Sequence, residues 1–92
     1  MPYEISLTPR AADELSQLPE IVRKRVARWL DRLAADPHCP GTRKLQGRED
    51  LFRTHAGKDH VIVYKVTTRQ VLVVLVADRK DVYRQLARRR ER

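Results

Sequence analysis

Two side chains in the stretch LFRTHA, residues 51–56, combine a permanent cation with a group that titrates near neutral pH. Read as a β-strand, the stretch alternates. Leu51, Arg53 and His55 share one face, and Phe52, Thr54 and Ala56 share the other. Further along, Arg79 and Tyr83 follow the apolar run QVLVVLVA. Lys44 precedes the first strand of this region, and Lys58 follows it. An isolated arginine on a sheet face is ordinary solvated surface. Several cations with an imidazole, a terminal Arg–Tyr pair and no acid lack the mixed signs of such a surface. The set reads as a cradle for a phosphate with a proton-handling group beside it.

Other chemistries find little support. The chain has no Gly-rich phosphate loop, no paired-cysteine metal spacing and no G-x-S-x-G. Cys39 beside His38 offers two ligands in a proline-flanked loop, too few for a zinc site. Asp78 and Asp81 read as a strand end and a helix start, where the helix dipole favours an acid. No metal and no cofactor is expected.

The 92 residues suit a single domain, 1–92, with 41% hydrophobic and 35% charged residues, a globular composition. No apolar run approaches the roughly 20 residues of a membrane span. The opening MPYEISLTPR does not read as a signal peptide, and one cysteine excludes an intrachain disulfide, so a cytoplasmic location is expected. The net charge of +8 points to a polyanionic partner: nucleic acid, an acidic protein or a membrane surface. The charge is segregated. Residues 1–20 hold one cation and four acids, whereas residues 79–92 hold seven cations and two acids.

The elements that must position the cations follow from local pattern. Tyr3 to Leu7 alternates as a short strand. Thr8 then offers a capping oxygen, and Pro9 suits the first helical position. Ala11, Leu15 and Leu18 give a short helix that Pro19 interrupts. A second helix carries Val22, Val26, Trp29, Leu30 and Leu33 on one stripe and ends near Asp36, before Pro37. Three strands are predicted next: 51–56, 60–66 and 70–77, joined by short connections that favour antiparallel neighbours. The third is apolar on both faces and belongs inside the sheet. Val82, Tyr83 and Leu86 suggest a short terminal helix. The predicted fold is α+β: an N-terminal strand, a helical hairpin, an antiparallel three-strand meander and a short basic C-terminal helix, with Arg53 and His55 on the strand face away from the helices.

The pattern KLQGREDLFRTHAGKDHVIVYKV…VLVVLVADRKDVY resembles the RelE/ParE toxin superfamily. Lys44-Leu45-Gln46-Gly47 is similar to the K-L-x-G turn before the first meander strand. Asp50-Leu51-Phe52-Arg53 resembles the start of that strand, Val63-Tyr64 an apolar–Tyr pair, and Arg79-Lys80-Asp81-Val82-Tyr83 the basic R-R-E-V-Y ending. LTPRAADELSQLP is similar to the family's first helix, so the resemblance covers about the whole chain.

The resemblance implies a toxin paired with a small antitoxin, and allows a heterotetramer of the two. Members of the RelE branch cut mRNA at the ribosome without a metal. Carried over, Arg53 and His55 match two strand cations, Arg79 the basic residue after the last strand, Tyr83 a terminal tyrosine that stacks on or orients a base, and Lys44 the lysine of the turn. Lys58 and Arg84 are further candidates for RNA contact. In one place the sequence departs from the pattern. Val61 stands where the family usually has an arginine that grips the scissile phosphate, and Lys58 is the better substitute, since alternation turns His60 away. The chemistry implied is attack by a 2′-OH, giving a 2′,3′-cyclic phosphate and a 5′-OH, with His55 as base and Arg53 and Arg79 on the phosphate. The ParE branch, which inhibits DNA gyrase without nuclease activity, and a non-enzymatic nucleic-acid-binding module are the alternatives.

Overall fold

A computed structural model describes residues 2–88 of the chain; the basic run Arg89, Arg90 and Arg92 lies outside the described residues. The element order is β1 (Glu4–Leu7), α1 (Pro9–Ser16), α2 (Glu20–Ala35), β2 (Arg43–Leu45), β3 (Arg48–His55), β4 (His60–Val66), β5 (Gln70–Asp78) and α3 (Val82–Arg88).

The first helix starts as its residues dictate. Thr8 Oγ1 accepts the Ala11 N–H at 3.1 Å, and Pro9 occupies the first turn, where its missing donor costs nothing. Pro19 stands at the cap of α2. The helix closes where the Asp36 N–H reaches the Arg32 carbonyl at 2.9 Å, and Pro37 prevents another turn.

One five-stranded sheet runs in the order β1-β5-β4-β3-β2. β5 lies inside it, parallel to β1 and antiparallel to β4. That placement agrees with its lack of a polar face. The three predicted strands form an antiparallel meander, extended by an additional edge strand. Arg43–Leu45 pairs with β3 across a turn at Gln46-Gly47, and Gly47 takes the positive φ of 82° that the turn needs. Lys44 and Leu45 therefore belong to a strand, and only Gln46 and Gly47 to the turn.

The sheet has a core on each face. On one, α1 and α2 contribute Ala11, Val26, Leu30 and Leu33 against Ala56, Ile62, Tyr64, Val71, Val73 and Val76. On the other, Val82 of α3 closes over Leu45, Leu51, Val61, Val63 and Leu75, with Leu86 packed beside it. The face opposite the helical pair is thus partly roofed rather than open. The reason is chemical. β4 and β5 present branched apolar side chains on both sides, and each side must leave water.

Tyr64 ties the sheet to the loop that follows α2. It is fully buried, and its hydroxyl donates to the Pro37 carbonyl at 2.7 Å. Its ring stacks on Phe52 with centroids 5.8 Å apart, and His38 meets Phe52 edge-on at 5.0 Å. The apolar–Tyr pair of the sequence is a structural anchor.

Candidate functional site

Of the site candidates, Arg53, His55 and Arg79 come together at one end of the α3-covered face. Alternation along β3 holds: Leu51 is buried in the core beneath α3, and Arg53 and His55 follow on the same side. Phe52 and Ala56 belong to the opposite core, and Thr54 is buried with its hydroxyl near the Gly41 carbonyl.

Cross-strand register fixes the neighbours. Arg53 faces Val63, which faces Leu75; His55 faces Val61, which faces Ala77. Ala77 is two residues short of Arg79, and adjacent strands lie about 4.8 Å apart. Arg79 therefore leaves β5 at the end of the sheet where His55 leaves β3. A backbone link fastens the two: the Arg79 N–H donates to the Asp59 carbonyl at 2.7 Å, and Asp59 lies in the β3–β4 connection.

The electrostatics agree with this placement. His55 is open to solvent, yet the walls beside its ring remove part of its hydration. That desolvation, then the Arg53 guanidinium and then the Arg79 guanidinium, hold its pKa below the usual value of about 6.5. At neutral pH the imidazole is neutral and can accept a proton. Arg53 is half-buried and Arg79 exposed, and neither has an ion-pair partner among the described residues. Two unneutralised guanidiniums flanking a neutral imidazole can hold an anion and take a proton from a neighbouring hydroxyl.

The other candidates sit as follows. Lys58 is exposed in the β3–β4 loop, near this end of the sheet. Tyr83 stands in the first turn of α3 with 59% of its surface exposed, while its neighbour Val82 is buried. Arg84 is bound to Asp81 one turn earlier, so part of its charge is already answered. Lys44 faces Phe52 across the β2–β3 ladder, which places it on the opposite side of the sheet from Arg53. The residue that shares Arg53's side is Arg43, its direct cross-strand partner. Sequence reading missed Arg43 because β2 was unrecognised. Three residues, two of them cations, are too short a run to show a strand period, so the sequence holds no signal for it.

Val61, at the position where the family pattern carries an arginine, is 1% exposed beneath α3 and directly opposite His55. No cation occupies that place, so charge reaches the imidazole from Arg53 on its own strand and from Arg79.

Two clefts adjoin this face. A shallow one of about 280 Å³, lined by Asp59, Asp78, Arg79 and Lys80, borders the cluster. Another of about 360 Å³ lies between α1 and α3, lined by Arg10, Arg48, Leu51, Lys65, Val74 and Leu86 together with Thr8. None of Arg53, His55 and Arg79 lines the second. Asp50 also stands 3.6 Å from both Arg48 and Lys65 and offsets their charge. The His55 end is therefore the candidate site.

Comparison with known proteins agrees with this architecture. Residues 5–83 match the family described as ParE toxin of type II toxin-antitoxin system, parDE. Among solved structures, the isolated E. coli RelE toxin is 25% identical, covers 95% of this chain and 97% of its own, and superposes with a TM-score of 0.73. An E. coli RelE variant in complex with an antitoxin RelBc peptide is 25% identical over 99% of this chain and all of its own, with a TM-score of 0.74. The archaeal RelE of the RelE–RelB complex from Pyrococcus horikoshii has the same fold, with 24% identity over 86% of this chain and 97% of its own and a TM-score of 0.72. A search of curated proteins gives no match. With its matched segment running from β1 to Tyr83, the chain belongs to the ParE toxin family of type II toxin–antitoxin systems.

Proposed function

We propose that this toxin is a metal-independent endoribonuclease that cleaves mRNA at the ribosome, and that it acts in the cytoplasm until a cognate antitoxin covers it. The observation that carries the reading is geometric: Arg53 and His55 share one side of β3, and Arg79 leaves β5 at the same end of the sheet, fastened to the β3–β4 connection by its N–H to the Asp59 carbonyl.

The residues divide the work. His55 takes the proton from a ribose 2′-OH. The freed oxygen attacks the adjacent phosphorus and expels the 5′-oxygen of the next nucleotide, leaving a 2′,3′-cyclic phosphate and a 5′-OH. Arg53 and Arg79 hold the non-bridging oxygens, whose charge grows in the transition state. Their planar forks suit a phosphate better than a lysine's point charge does. Tyr83, with its ring in solvent, is placed to stack on a base. Lys58 is the group offered to protonate the leaving oxygen, and it stands in for the arginine that Val61 replaces. Arg43, on Arg53's side of the sheet, and Arg84 serve the flanking RNA backbone, and Lys44, on the far side, does not.

The partner reading follows the same chemistry. An antitoxin with an acidic segment neutralises the cluster and can lie along the domain as a helix or extended strand. Structural neighbours include RelE chains in complex with RelB, which supports a partner of that kind; a heterotetramer of toxin and antitoxin is part of the proposal.

One observation favours a second reading. Val61 removes the family's phosphate-gripping arginine, and the matching family is named for ParE. A gyrase inhibitor without nuclease activity fits both facts. The test is addition of the toxin without antitoxin to a translating extract, with mapping of mRNA 5′ ends, beside a separate supercoiling assay with DNA gyrase. New 5′-OH ends within coding sequence support the ribonuclease. Intact mRNA with blocked DNA supercoiling supports the gyrase inhibitor.

A further inference from the structure

The β3–β4 connection is the piece of backbone that joins His55 to Arg79, and a side chain from the far layer rests on it. Gly57 has φ +91°, a region that suits glycine. A Cβ there would stand 2.6 Å from Cδ of Arg25, 3.1 Å from its Nη1 and 3.3 Å from its Nε. The torsion favours glycine at 57, and the Arg25 side chain lies against it. Arg25 is itself exposed, but the neighbours of this contact are buried. Val26, next to Arg25, and Ala56, next to Gly57, are both fully buried in the core beneath α1 and α2. The loop is closed at its base by Ala56 N–H to the His60 carbonyl at 2.9 Å, and Asp59 then accepts the Arg79 N–H. No carboxylate within ion-pair distance accounts for Arg25's position among the described residues.

We propose that Arg25 is a positioning residue for the Arg53–His55–Arg79 cluster: laid across Gly57, its side chain sets the β3–β4 loop, and the Asp59 carbonyl of that loop sets the backbone of Arg79. A helix on one face of the sheet thereby controls spacing on the other, through the end of the sheet where the faces meet. Lys58 lies between Gly57 and Asp59, so the same contact sets its approach. The effect on rate rests on the ribonuclease reading; the effect on cluster geometry does not. A displacement of about 1 Å between reacting groups is enough to cost 10²-fold in rate.

The test is NMR on the full chain: titration of the His55 ring and hydrogen exchange of the Arg79 amide. Arg25→Ala, Arg25→Met and Arg25→Lys are compared with Arg28→Ala, an exposed change one turn away. In Arg25→Ala the His55 pKa moves up toward its usual value as Arg79 drifts off. The Arg79 amide exchanges about 10-fold faster or more, because its acceptor is no longer held. Arg25→Met keeps the aliphatic stem without the charge, Arg25→Lys keeps both stem and charge, and both stay close to the parent protein. Arg28→Ala changes neither readout. Where RNA is cleaved, Arg25→Ala lowers kcat with KM little changed. An Arg25→Ala protein with the parent titration and exchange overturns the proposal. So does an Arg25→Met protein that shifts His55 as far as Arg25→Ala does without faster Arg79 exchange, since that pattern is the loss of a distant charge. If the parent protein cuts no RNA, the NMR readouts still decide the positioning role, and only the ribonuclease reading fails.

Discussion

His55 and Val61 stand directly opposite each other on β3 and β4, one open to solvent and the other sealed beneath α3. The pair marks the border between the candidate site and the second core. The imidazole can therefore be desolvated on one side and reach an RNA on the other. It also means that the family's arginine cannot be restored by a simple exchange. Val61→Arg puts a charge into a core built from Leu45, Leu51, Val63, Leu75 and Val82. An unpaired buried charge costs about 3–5 kcal/mol. Urea denaturation should show a loss of that size, and a variant as stable as the parent would mean that α3 lifts readily from the sheet.

If His55 is the general base, His55→Ala lowers single-turnover cleavage by roughly 10²-fold. The parent rate rises with pH through the depressed pKa of His55 and then levels. The variant loses that rise. An equal rate in the variant assigns the proton transfer elsewhere.

Arg53→Ala and Arg79→Ala should each weaken RNA binding and flatten its salt dependence. One lost phosphate contact reduces the log–log slope by about 0.7 on single-stranded RNA. Arg43→Ala, on Arg53's side of the sheet, should act in the same direction, whereas Lys44→Ala, on the far side, should do less. Equal slopes for Arg43→Ala and Lys44→Ala would show that the RNA does not follow this face.

The lowered pKa of His55 also enters stability. The unfolded chain binds a proton at about pH 6.5, and the folded chain only at lower pH. Acidification between those two values favours the unfolded state, so the contribution is complete above about 6.5 and is lost as pH falls through the window. Thermal melts at constant ionic strength should show a fall in Tm in that range for the parent and a smaller one for His55→Gln. A parallel pair of curves would place the proton linkage on other groups.

Tyr64→Phe removes the donor to the buried Pro37 carbonyl. The expected loss is about 1–3 kcal/mol, with the sheet face of the site unchanged. Burial also pushes the Tyr64 hydroxyl up to about 12, so its contribution is intact below about pH 10 and is lost as pH rises through 12. Stability of the variant against urea, read beside the pH-dependent absorbance of the phenol, checks both.

Much of the architecture is legible in local chemistry. Thr8-Pro9 starts a helix because one residue supplies an oxygen and the next needs no donor. Pro19 and Pro37 bound α2 because each lacks a backbone N–H and restricts the residue before it. Arg53 and His55 share a face because a strand repeats every two residues. These facts need no partner elsewhere in the chain. What tertiary structure alone decided lies between segments. The three-residue strand Arg43–Leu45 is too short to announce itself, and it exists because β3 offers a free edge. Its pairing moved Lys44 off the site face and brought Arg43 onto it. The roof of α3 over Val61 and the reach of Arg25 to Gly57 come from apolar burial and loop closure between residues more than twenty positions apart. Torsional preference acts over a few neighbouring residues, whereas burial is indifferent to sequence distance. For that reason the types of the site residues can be read from the chain, but their company cannot.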